Sequence, residues 1–243
     1  MKSPGLEVST PMDDISTARH TITDVNIPCM DLSVTGGAVN SQSLTHRWQV
    51  YCPRPFQLTQ AVRPAPQVSL QPQQGYRLAV FHSGTLRMPM LSAAVSAEYL
   101  FEVFLELVSL LGNHVDVVVE STHGFGWGPS RLWRREGIDQ VVLMSHLCEF
   151  EQLLTHDGCT AIAVINRRRP AELQFDEHKL LHVYSPHLRP FQRCLNRWGV
   201  PRCRRLPLIC EAEHIHHTQP RFAQELTGLL YCLAADEERN ARR

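Results

Sequence analysis

The densest chemistry-bearing stretch of this sequence is Glu211-Ala212-Glu213-His214-Ile215-His216-His217. In an extended strand side chains alternate, so His214 and His216 share one face, while Glu211, Glu213, Ile215 and His217 share the other. Imidazoles at i and i+2 stand about 6–7 Å apart at Cβ, a spacing that lets both reach one ion. A third ligand from a matching strand end, His123 or Glu120, completes a site for zinc or manganese with an open coordination position. Such a centre lowers the pKa of bound water to about 7 and runs a hydrolysis. Glu211 or Glu213 then serves as outer-sphere partner or general base. The plainer alternative is a polar strand end entering a surface loop, since a chain with 13 His clusters some of them by chance.

Arginine is the second group. Of the 24 basic residues, only Lys2 and Lys179 are lysine. Between Arg167 and Arg205 stand ten basic residues and three acidic ones. On a helix, Arg189, Arg193 and Arg197 lie along one face, with Arg204 and Arg205 following. Arginine beside aromatics such as Phe191 and Trp198 suits an anionic partner: nucleic acid, a phosphate ligand or an acidic protein. The alternative is a solvated helix face in a chain that prefers Arg throughout.

His123-Gly124-Phe125-Gly126-Trp127-Gly128-Pro129-Ser130 is a glycine-rich loop after a strand, where open α/β sheets place ligands. Its G-x-G-x-G pattern is not the dinucleotide fingerprint, and no Walker lysine follows. A loop without a ligand is the plain reading, and a binding lid built from Phe125, Trp127 and Trp133 the functional one. No G-x-S-x-G nucleophile elbow is present.

The elements that must position these residues alternate. Residues 1–44 read as a disordered tail, too poor in apolar side chains to offset its ordering entropy. The run 46–62 suggests an edge strand broken by Pro53 and Pro55. Then follow a strand at 76–82, an amphipathic helix at 92–111, a valine-rich central strand at 115–120, and a loop at 121–137. Asp139 caps a helix that ends at Gly158, and a strand covers 159–165. A second pass gives a strand at 175–184, a helix at 186–198, a strand at 206–214, a helix at 219–235, and a frayed terminus at 236–243.

Glu120-Ser121-Thr122-His123 and Glu211-Ala212-Glu213-His214 close the second strand of each pass, which reads as an internal βαβα duplication. Unequal spacing within the two passes argues for coincidence instead. The expected architecture is a single α/β (or α+β) domain over residues 46–235, with a mixed sheet of about six strands and four helices. The junction 165–175 requires at least one antiparallel pair.

A formal net charge of zero excludes a bulk polycation. No run approaches the roughly 18 apolar residues of a spanning helix, and the polar N-terminus lacks a signal-peptide core, so no membrane partner and a cytoplasmic location are expected. The eight cysteines form no C-x-x-C pair and read as reduced, structural thiols. Two functional readings follow: a non-catalytic binding or assembly module with an Arg-rich anion-binding face, or a metal-dependent hydrolase.

Overall fold

A computed structural model describes residues 55–124 and 130–238, together with the backbone of residues 22–23. The expected tail (1–44) apart from residues 22–23, residues 46–54 of the expected 46–62 strand, the loop residues 125–129 and the end of the chain (239–243) lie outside the described residues.

The chain folds as α+β around one large antiparallel sheet. In chain order its strands are β1 (Ile22–Thr23), β3 (Gly75–Ser83), β4 (Leu86–Ala94), β5 (His114–Ser121), β6 (Arg131–Asp139), β7 (Thr160–Asn166), β8 (Ala171–Phe175), β9 (Leu181–Tyr184) and β11 (Asp236–Glu237). Their spatial order is β1-β3-β4-β9-β8-β7-β5-β6-β11, and every ladder is antiparallel. A separate ribbon pairs β2 (Val62–Pro64) with β10 (His214–His216). Among the described residues, five α-helices accompany the sheet: α1 (Leu100–Ser109), α2 (Gln140–Glu149), α3 (Glu151–His156), α4 (Arg189–Arg197) and α5 (Pro220–Leu233). Among the described residues, no helix is long and apolar enough to cross a membrane.

Helices and sheet share one large core. Phe101, Phe104, Leu107 and Val108 of α1 and Phe222, Leu226, Leu229 and Leu233 of α5 meet Val117, Val119, Leu173 and Phe175 of the sheet. Phe104 and Phe175 stack with centroids 4.9 Å apart. The opposite sheet face carries a smaller cluster around Phe81, Met90, Ile165 and Tyr184.

The sheet is larger and more antiparallel than the expected six mixed strands, and the differences have local causes. Residues 86–94, assigned in part to a helix, form β4, which is buried on both faces toward its end and so lacks a period of two. Gly84, at φ +53°, closes the β3–β4 hairpin. β6 occupies what reads as loop because its Arg131-Leu-Trp-Arg-Arg-Glu136 run is mostly polar. Its ladder to β5 breaks register between Val115 and Val117, where Gly137 has φ +64° and its N–H reaches Asp116 Oδ1 at 2.8 Å. Asp139 does cap its helix, accepting from the Val141 and Val142 N–H groups, but the helical run divides at Phe150 into α2 and α3. The two E-x-x-H segments lie in unlike elements. Glu120 belongs to central strand β5, whereas Glu211 ends a single 3₁₀ turn (Ile209–Glu211).

Candidate metal centre

β5 ends, β7 begins, β8 ends and β9 begins at one end of the sheet, and the histidines gather there. The β8–β9 connection is a tight turn, Asp176 to Leu180. Asp176 accepts from the Lys179 N–H through its carbonyl (3.1 Å) and from the Leu180 N–H through Oδ1 (2.7 Å). Lys179 takes φ +63° here, a left-handed conformation that a lysine adopts only where its surroundings impose it. Its ammonium is buried, donates to the Thr160 carbonyl at 2.9 Å and faces the Phe175 ring. Burial brings that amine down to about 8, although Asp157 and Asp176 favour its charge.

This turn aims His178 at β10. The β2–β10 ribbon pairs His214 with Pro64 and His216 with Val62, so both histidines share the inward face with buried Val62. Ile215 and Arg63 face the other way, exposed.

The three imidazoles form a near-equilateral triangle, with ring centroids 4.7, 4.9 and 4.9 Å apart. His214 Nε2 lies 3.1 Å from His178 Nε2 and 3.0 Å from His216 Nε2. Each Nδ1 is anchored from behind: His178 on Asp176 Oδ2 (3.0 Å), His214 on the Ala212 carbonyl (2.7 Å) and His216 on the Gly158 carbonyl (2.7 Å). A carbonyl only accepts, so Nδ1 of His214 and His216 carries the proton and the neutral ring presents a lone pair at Nε2. Lone pairs converging at 3.0–3.1 Å repel one another unless a proton on one of the rings or a metal ion lies between them. Zn–N bonds of about 2.0–2.1 Å in a tetrahedron place ligand atoms about 3.3–3.4 Å apart, within a few tenths of an ångström of this geometry.

The surroundings tune the rings unequally. Burial opposes a charge on His178, yet the Asp176 carboxylate outweighs it and raises the pKa. Burial, reinforced by neighbouring His178, lowers that of His216. Asp176 is shared: Oδ2 also contacts His182 Nε2 at 3.3 Å, and His182 Nδ1 lies 2.9 Å from Ser92 Oγ. Despite its burial, bonds from His178 and His182 hold the Asp176 carboxyl well below the usual carboxylate range. A chain of polar contacts thus runs from His178 into the sheet.

Gly158 brings these parts together. Its N–H donates to the His217 carbonyl at 2.8 Å, and the His217 N–H donates to the Ala61 carbonyl at 2.8 Å. A Cβ at residue 158 would stand 2.4 Å from the Ala61 oxygen and 2.9 Å from the His217 oxygen, both backbone atoms. Only glycine permits that approach.

Of the expected ligands, His214 and His216 meet, and the third partner is His178 rather than His123 or Glu120. Glu120 accepts a hydrogen bond from Ser130. Glu211 is paired with Arg77, and Glu213 accepts from Gln67 Nε2 at 2.6 Å. His123 Nε2 lies 2.8 Å from Asp157 Oδ2, in a separate group with Cys159. His178 was hidden in the sequence because 175–184 reads as one continuous strand. The Asp176-Glu177-His178-Lys179 run was the available signal of a turn within it.

On α4, Phe191, Cys194 and Leu195 are buried, and Arg189, Arg193 and Arg197 lie on the exposed side; Arg204 and Arg205 are exposed in the following turn. Arg197 is paired with Glu106. The described cysteines are free thiols, and burial pushes Cys194 and Cys210 up to about 12. Comparison with protein-family models, curated proteins and solved structures finds no match to this chain.

Proposed function

We propose that this protein is a metal-dependent hydrolase whose centre is His178, His214 and His216. The observation that carries this reading is the convergence of three Nε2 atoms, each imidazole being anchored at Nδ1 by an acceptor. Neutral imidazoles favour zinc over manganese, which prefers oxygen ligands. Zinc held by three histidines keeps a fourth position for water or substrate and lowers the pKa of that water to about 7. The protein supplies the rest. Asp176 and the Ala212 and Gly158 carbonyls fix ring orientation and basicity. Val62 and Pro64 flank the inward face of the ribbon that carries two of the ligands.

The anion-binding reading ranks second, because its arginines are spread over an exposed surface and Arg197 is already paired, whereas the three imidazoles meet at one point. Elemental analysis of untagged protein tests the metal reading. Zinc is expected to be lost from this centre in His178→Ala and in His214→Ala. Hydrolysis of activated esters is expected to fall in the same variants. Less than about a tenth of an equivalent of any transition metal in the parent protein overturns the proposal.

A further inference from the structure

Beside the three-imidazole centre, the α3–β7 connection carries Asp157 and Cys159 on either side of Gly158. Gly158 and Cys159 form a turn, and the Asp157 and Cys159 donors stay close to one another across it. Opposite them, His123 leaves the end of β5. Its N–H donates to Ser121 Oγ at 3.2 Å, and the Thr122 N–H donates to the Cys159 carbonyl at 3.0 Å. Each of the three side chains offers one ligand atom, and these atoms lie within 4.8 Å of one another.

Asp157 is completely buried. Oδ2 of its carboxylate lies 2.8 Å from His123 Nε2 and 2.6 Å from Thr160 Oγ1, and the Thr218 side chain also bonds to this carboxylate. Oδ1 has no hydrogen-bond partner of ordinary geometry among the described residues. The buried ammonium of Lys179 donates to the Thr160 carbonyl. A buried carboxylate with one oxygen lacking a well-formed hydrogen bond is costly, and a cation relieves that cost directly.

We infer that His123, Asp157 and Cys159 form a second binding site for a zinc-like divalent cation, separate from the three-imidazole centre. The donor set of one imidazole, one carboxylate and one thiolate selects zinc over magnesium or calcium. On binding, the Cys159 thiol releases its proton to solvent, and the sulfur lone pair forms the bond to the metal. The two anionic ligands then balance the divalent charge. Tetrahedral zinc requires a nitrogen–oxygen edge of about 3.3 Å, so the His123–Asp157 contact has to open by only about 0.5 Å. The bound ion fastens the α3–β7 connection to the end of β5, and with it the Gly158 carbonyl that holds His216.

Cobalt(II) substitution of untagged, full-length protein tests the site. A thiolate-to-cobalt charge-transfer band in the near ultraviolet is expected, with two equivalents of metal bound. The band is lost in Cys159→Ser and in His123→Asn, each of which retains one equivalent. It persists in the His214→Ala/His216→Ala variant, which lacks the first centre. One bound equivalent without the band in the parent protein overturns this inference and leaves the three-imidazole centre standing. A band that survives Cys159→Ser overturns it as well.

Discussion

Gly158→Ala is the most informative single change in this molecule. The added methyl would lie 2.4 Å from the Ala61 oxygen, 2.9 Å from the His217 oxygen and 3.1 Å from His216 Cβ. Ordinary contact requires about 1 Å more at the closest of these, and backbone cannot yield by a rotamer change. The ribbon therefore has to move away from the α3–β7 connection. That motion weakens three bonds: Gly158 N–H to His217 O (2.8 Å), His217 N–H to Ala61 O (2.8 Å) and His216 Nδ1 to Gly158 O (2.7 Å). Overpacking costs about 1–3 kcal/mol and the three weakened bonds together about 1 kcal/mol, giving about 2–4 kcal/mol in all. In a chain of this size that lowers Tm by about 5–15 °C. The His216 anchor is also lost, which weakens metal binding by about 10–100-fold. Thermal unfolding in chelator reads the packing cost, and zinc competition in a Cys159→Ser background reads the metal centre alone. A variant within about 1 °C of the parent and equal in zinc affinity would refute the close-approach argument.

Two further outcomes follow from the same geometry. Asp176→Asn keeps the shape of the turn but removes the charge behind His178. Zinc affinity at the three-imidazole centre is expected to fall about 10–100-fold with the fold retained, and unchanged affinity in a competition titration would contradict the role given to this carboxylate. For Asp157, burial opposes ionisation, but bonds from His123 and Thr160 prevail and its pKa is lowered in the native state. A depressed native pKa adds stability above the ordinary carboxylate range, and that stability disappears as pH falls through the lower native value. In chelator, Asp157→Asn is therefore expected to lower Tm at neutral pH, with the difference from the parent shrinking as pH drops below about 4. A difference independent of pH would show that the carboxylate is not ionised in the folded chain.

The apolar runs at 76–82, 115–120 and 159–165 announced β3, β5 and β7 because each has enough β-branched or aromatic residues to mark a strand. Asp139 and Gly199 likewise marked helix boundaries through local backbone chemistry. β4 and β6 escaped because one is apolar on both faces and the other has no continuous apolar face, so neither shows the period of two.

The sequence alone determined that His214 and His216 share a face, since alternation along an extended chain is a local property. It also determined the row Arg189, Arg193 and Arg197, from helical spacing. Only the tertiary structure decided the third ligand. His178 lies 36 residues before His214 and reaches it through the β8–β9 turn, while Gly158 seats His216 from a third segment. His123, the expected partner, is claimed by Asp157 across the ends of β5 and β7. Which imidazoles meet depends on strand order and register, which are set by burial over the whole sheet rather than by the few residues around each histidine.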